Sequence, residues 1–163
     1  MFKKILVPID GSHTADLGLA EAIKVAKDQK AAVYLVHIVD ELAVVQNAGA
    51  SGATYIGGVL DIMREDGKKI LAKAEAKVRK QGVRSKSLLI EKIGGPISDL
   101  IIEQAIKWRA DLIVLGTHGR RGTRRMVLGS DAEAVVRSTH VPVLLVRSTN
   151  GPERQLGKRG RRK

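Results

Sequence analysis

The chain has 163 residues, no cysteine, 2% aromatic residues and a formal charge of +12. A single domain of this length buries roughly 70% of the surface that its unfolded chain exposes, so no staple is needed, and the lack of cysteine excludes disulfide frameworks, thiolate metal sites and cysteine nucleophiles. So few aromatics leave no stacking platform for single-stranded nucleic acid, and +9 of the charge lies in two short segments: Arg120, Arg121, Arg124 and Arg125, and residues 150–163, with six Lys/Arg against Glu153.

The first element is KKILVPI (3–9), almost wholly apolar after its lysines, which predicts a strand covered on both faces in the middle of a sheet. Its apolar run of five residues before Asp10 is too short for a signal-peptide core, and no later stretch is long enough to span a membrane, so a soluble, cytoplasmic protein is expected. Asp10-Gly11-Ser12 makes a turn, and Leu17, Ala20, Ile23 and Ala26 recur at helical spacing over 14–27. AAVYLVHIV (31–39) is a second buried strand. Residues 40–56, low in charge and rich in small residues, predict a mobile connection. Leu60, Met63, Ile70, Leu71, Ala74 and Val78 form one stripe of a long helix over 57–81, with Gly82 suited to its left-handed end and Gly67 weakening it by about 1 kcal/mol.

SKSLLIEKI (85–93) is the third strand. Pro96 fits the first turn of a helix running to Arg109, with Ile97, Ile101, Ala105 and Trp108 inward. ADLIVLG (110–116) is the fourth strand, 130–139 the fourth helix and VPVLLVR (141–147) the fifth strand. Strictly alternating strands and helices demand right-handed crossovers, a parallel sheet and helices on both faces. Pro142 has no N–H for a ladder, so the fifth strand belongs at an edge. Residues after 147 show charge without periodicity and predict a disordered tail.

In open parallel sheets ligands bind beyond the carboxyl ends of the strands, where the strand order reverses. Three segments qualify: Pro8-Ile9-Asp10-Gly11-Ser12, Ile38-Val39-Asp40, and the stretch GTHGRRGTRRMVLGS (116–130), which holds four glycines and four arginines. Neither G-x-x-x-x-G-K-[ST] nor G-x-G-x-x-G follows any strand. Instead Gly116 and Gly119 are followed after nine residues by Gly129-Ser130. Glycines at the first two positions let main-chain N–H groups approach an anion, and Gly129-Ser130 opens a helix whose free amides and positive dipole end favour phosphate. Ser130 and Glu133 also match a capping box, S-x-x-E, which is a structural alternative for that pair.

ILVPIDGS at the start, the G-x2-G-x9-G-[ST] loop and the closing VPVLLVR resemble the universal stress protein family in its ATP-binding branch, in order and spacing over about residues 3–147. Gly95-Pro96 and His37 fit the same pattern. The resemblance implies a Rossmann-like open five-stranded parallel sheet of order 3-2-1-4-5 with helices on both faces, over residues 1–148, followed by the basic tail 149–163. It also implies a homodimer joined through the 141–147 strand and ATP in the cleft. Carried over by position, Asp10 and Ile38 would meet adenine and ribose, with Pro8 and Val39 lining the wall; Ile9 belongs to the same binding set. Gly116, Thr117, His118, Gly119 and Arg120 would follow the phosphates, and Gly129, Ser130 and Asp131 would close the site.

Asp131 departs from the small apolar residue usual there, and Arg121 from a small polar one; the guanidinium groups are expected to outweigh the carboxylate at the phosphates. Asp10 is read as a ribose acceptor or a cap for the first helix ahead of a general base. His118 is read as a phosphate donor, with no nucleophile beside it. His13, His37 and His140 lack metal spacing and read as structural; Met63 and Trp108 read as core, and Met126 and Leu128 as pins for the loop. No residue set resembles a catalytic triad, a paired-carboxylate hydrolase or a metal cage. The leading reading is therefore a homodimeric stress-response regulator that acts as an ATP-dependent switch. A slow ATPase or autophosphorylating enzyme, with Mg²⁺ beside the phosphates, is a second reading. Binding of nucleic acid or another anionic polymer through the tail is a third.

Overall fold

Ile5, Leu6 and Val7 lie in β1 (Lys4–Pro8), each no more than 1% exposed; Ile5 and Val7 join one core cluster and Leu6 the other, as expected of a strand covered on both faces. The structure, a computed structural model, describes residues 1–42, 56–117 and 128–148. After β1 come α1 (His13–Gln29), β2 (Ala32–Asp40), α2 (Ile56–Lys80), β3 (Arg84–Lys92), α3 (Ile97–Trp108), β4 (Leu112–Gly116), α4 (Ser130–Ser138) and β5 (Val143–Val146). The five strands make one parallel sheet of order β3-β2-β1-β4-β5. Helices α1 and α2 cover one face through Leu19, Ala22, Leu71 and Val78, and α3 and α4 the other through Ile101, Ala105 and Val135.

The strand order reverses at β1, whose neighbours are β2 (Lys4 opposite Ala32) and β4 (Ile5 opposite Leu112). At the amino end of this seam Asp111 bridges the two strands, its carboxylate accepting from Lys3 N at 2.8 Å and Lys4 N at 3.0 Å. At the far edge Pro142 precedes β5 and offers only its carbonyl, which accepts from Ile113 N at 2.9 Å.

Helix α1 is longer than the 14–27 periodicity indicates and rotated from it. Ala20 is exposed, and the buried face consists of Ala15, Gly18, Leu19, Ala22, Ile23 and Ala26. Ser12 is its N-cap, with Oγ accepting from Ala15 N at 3.1 Å. Ser12→Ala is expected to lower stability by about 1 kcal/mol in chemical denaturation, the usual value for a lost N-cap acceptor. Lys30 ends α1 and Arg109 ends α3, both left-handed at φ 55°, whereas α2 is closed by Gly82 at φ 71°, as its sequence position indicates. Pro96 stands one residue outside α3, as its N-cap, instead of in the first turn.

Gly67 is more than a weak point in α2. A Cβ built on it would lie 2.7 Å from both His37 Cδ2 and Leu89 Cδ1, so the missing side chain lets the helix settle on β2 and β3. Of the connection predicted over 40–56, Glu41 and Leu42 are helical and residues 43–55 lie outside the described residues, as does the tail from 149 onward. Among the described residues no helix is long and apolar enough to cross a membrane.

Candidate nucleotide site at the strand-order reversal

Three stretches meet where β1 and β4 end side by side. Pro8 closes β1 half-buried, and beyond it Ile9 is 3% exposed, with its side chain in the core beneath α1 and α2. Both main-chain polar groups of Ile9 are engaged: its N–H donates to Val36 O at 2.8 Å, and its carbonyl faces His37 Nδ1 at 2.5 Å. Ile9 thus shapes the crevice from behind. Asp10 is half-buried and its Oδ1 accepts from Ser12 N at 2.9 Å, so it braces the turn while Ser12, not Asp10, caps the helix. On β2, Ile38 is half-buried and packs into the α3/α4 cluster, and Val39 is buried.

From β4 come Gly116 and Thr117. A Cβ on Gly116 would lie 2.7 Å from Thr14 C and O and 2.9 Å from Ala15 N, all main-chain atoms of the first turn of α1. Gly18 lies on the other side of this crossing, its own Cβ position 3.4 Å from Gly116 N. Beside the close approach of an anion expected from the sequence, the structure gives glycine at 116 a packing reason of its own, the close approach of α1.

Thr117 is buried, and its main chain holds both ends of the glycine-rich loop. Its N–H donates to Val146 O on β5 at 2.9 Å, and its carbonyl accepts from Gly129 N at 2.9 Å. Residues 118–127, with His118, Gly119, Arg120, Arg121 and Met126, lie outside the described residues.

Gly129 is the N-cap of α4 at φ −60° and ψ 144°, and its carbonyl accepts from Glu133 N at 2.9 Å. Ser130 is already helical. The capping box expected from Ser130 and Glu133 is therefore not formed: with Gly129 tied to Thr117, the helix starts one residue before the cap that the pattern requires. Glu133 turns instead to Arg137, at 2.5 Å. Among the described residues the Ser130 hydroxyl makes no hydrogen bond, and it stands exposed in the first turn with Asp131. As at any helix start, the amides ahead of Glu133 have no intrahelical acceptor, and they point away from the helix at the end of the reversal seam. Leu128 packs against the α3/α4 cluster, which pins the loop's return as expected.

Three features of this end of the sheet rest on partners that the sequence pattern does not show. His37 is 5% exposed and bonded to the chain that leads into Asp10. Gly67 is shaped to its ring; a buried mid-helix glycine was the one available signal. Arg64 on α2 gathers Asp61 at 2.8 Å, its i,i+3 neighbour, and also Glu41 at 3.1 Å and Glu91 at 3.0 Å, which join the ends of β2 and β3 and which nothing in its spacing announces. Among the described residues no group of three acidic, histidine or cysteine side chains is placed to hold a metal.

The architecture defines an open parallel α/β domain whose strand order reverses at β1. The chain belongs to the universal stress protein family, whose profile matches residues 1–147. Universal stress protein MJ0531 of Methanocaldococcus jannaschii is 36% identical over 147 residues, 90% of this chain and 83% of the relative. The structure of protein MJ0577 superposes with a TM-score of 0.79 at 26% identity, covering 93% of this chain and 99% of that one. The structure of a universal stress protein from Archaeoglobus fulgidus in complex with dAMP matches at a TM-score of 0.62 and 23% identity, covering 89% and 98%.

Proposed function

We propose that this protein binds an adenine nucleotide, ATP by preference, at the β1/β4 crevice, and acts as a homodimeric, nucleotide-dependent regulator. The observation that carries the reading is the pair of hydrogen bonds on Thr117, which draws the start of α4 back to the carboxyl end of β4. There, helix amides and the exposed Ser130 hydroxyl stand at the place where open α/β sheets take their ligands. In this reading Asp10 meets the ribose, Ile38 and Val39 border the base, and residues 116–120 with Gly129, Ser130 and Asp131 follow the phosphates. That the same fold holds dAMP in the A. fulgidus protein supports the ligand class. Titration calorimetry of the purified chain with ATP tests it: saturable binding near one nucleotide per chain is expected, and none overturns the reading.

Dimerisation through the outer edge of β5 is the second part of the proposal. Leu144 and Leu145, on opposite faces of that four-residue strand, are 37% and 36% exposed beside a strand edge that has no partner among the described residues, and Val136 on α4 is 44% exposed. Light scattering at micromolar concentration is expected to give a dimer, and Leu145→Glu a monomer, because a charge placed in an apolar contact goes uncompensated. A monomer for the unchanged chain contradicts this.

A further inference from the structure

We propose that His37 is the positioning residue of the nucleotide crevice: its buried ring sets the direction of the Ile9–Asp10 peptide, and α2 in turn sets the ring. The inference rests on the adenine-nucleotide reading above and deepens it by naming a residue behind the β1 main chain that the ligand does not touch.

The His37 Nδ1 lies 2.5 Å from the Ile9 carbonyl oxygen. A carbonyl only accepts, so Nδ1 carries the proton and the imidazole donates. With the Ile9 N–H held by Val36 O at 2.8 Å, the residue is fixed at both of its main-chain polar groups. The Ile9 carbonyl and the Asp10 amide share one rigid plane, so holding that oxygen fixes the plane from which the Asp10 side chain departs. The bonds then continue outward. Asp10 Oδ1 accepts from Ser12 N at 2.9 Å, and Ser12 Oγ caps α1 through Ala15 N at 3.1 Å. One imidazole therefore anchors the carboxylate at the end of β1 and the turn into α1.

The opposite edge of the ring rests on α2. At Gly67 a Cβ would stand 2.7 Å from His37 Cδ2 and 3.2 Å from Nε2, so any residue but glycine displaces the ring or lifts the helix. Arg64, one turn earlier, ties the same stretch of α2 to Glu41 at 3.1 Å and Glu91 at 3.0 Å. The position of α2 over the sheet is thus read through the ring at the Ile9 carbonyl.

Calorimetry with ATP on the full chain and three variants tests this. His37→Asn keeps an N–H where Nδ1 stands, His37→Leu keeps an apolar bulk and removes the donor, and Gly67→Ala keeps the donor and displaces it. Loss of the donor in His37→Leu is expected to weaken ATP binding by about tenfold or more, with His37→Asn staying within about threefold of the unchanged chain, whatever order their melting temperatures take. Gly67→Ala is expected to fall between them. A leucine variant that binds like the unchanged chain, or an asparagine variant as weak as the leucine one, overturns the role. Since a buried substitution can unfold the protein, the unchanged chain supplies a second readout: with ¹⁵N-labelled histidine, saturating ATP is expected to shift the His37 Nδ1–H resonance, and an unmoved resonance overturns the role. No ATP binding by the unchanged chain sinks the nucleotide reading and this role together, whereas binding that ignores all three variants removes His37 alone.

Discussion

Gly116→Ala is expected to destabilise the protein by about 3 kcal/mol, the upper range for overpacking a fitted contact. The added methyl would meet Thr14 C and O at 2.7 Å and Ala15 N at 2.9 Å. These are main-chain atoms of a capped helix start, so none of them swings aside as a side chain would. Either α1 shifts off the sheet or β4 bends, and both loosen Leu19 and Val114, which are fully buried in the same cluster. The measurement is urea denaturation: a lower midpoint with an unchanged slope marks a loss of native stability. Gly18→Ala, whose Cβ would sit 3.4 Å from Gly116 N and 3.6 Å from Leu115 C, serves as the control, expected to be far milder because those are ordinary contact distances. Equal stability of Gly116→Ala and the unchanged chain refutes the account of this crossing.

Gly129→Val is expected to act in the opposite way, with a small effect on folding and a large one on ligand. At φ −60° and ψ 144° the backbone suits any L residue, so conformation gives no reason for glycine there. Losing a favourable N-cap costs at most about 1 kcal/mol. In the proposed site the absence of a side chain keeps the approach to Ser130 and the helix amides open, and a branched side chain closes it. ATP affinity is expected to fall by about thirtyfold, some 2 kcal/mol. Calorimetry beside denaturation separates the two effects, and an unchanged dissociation constant places Gly129 away from any ligand.

The contrast between these glycines shows how the sequence could and could not be read. Four of the five strands were legible as short apolar runs and β3 by the Leu88-Leu89-Ile90 at its centre, and their order followed from the resemblance that the glycine loop carries. Pro142 marked the edge because it brings no N–H to a ladder at the start of β5, and Gly82 marked the end of α2 by its freedom at positive φ. What failed to show in the sequence is contact between residues far apart along it. Gly116 is marked in the sequence only by its spacing to Gly119, which matches a phosphate loop; its packing against Thr14, about a hundred residues earlier, leaves no such mark. Gly67 looked like a flaw because helix propensity is local, while its partners His37 and Leu89 lie on other elements. The capping pattern at Ser130 failed for a related reason: the hydrogen bond from Gly129 to Thr117, across the glycine-rich loop, decides where α4 begins. At this end of the sheet the placing of Asp10, Thr117 and Ser130 at element ends was legible, and so was a structural role for His37, but not its contacts with Ile9 and Gly67.

Because Thr117 hangs on Val146, the outermost strand and the base of the glycine loop are mechanically continuous. A strand of four residues with a neighbour on one side only is the part of a sheet most prone to fray, and each opening of β5 releases the peptide from which the loop departs. Anything that grips the outer edge of β5 consequently steadies the mouth of the crevice without reaching into it.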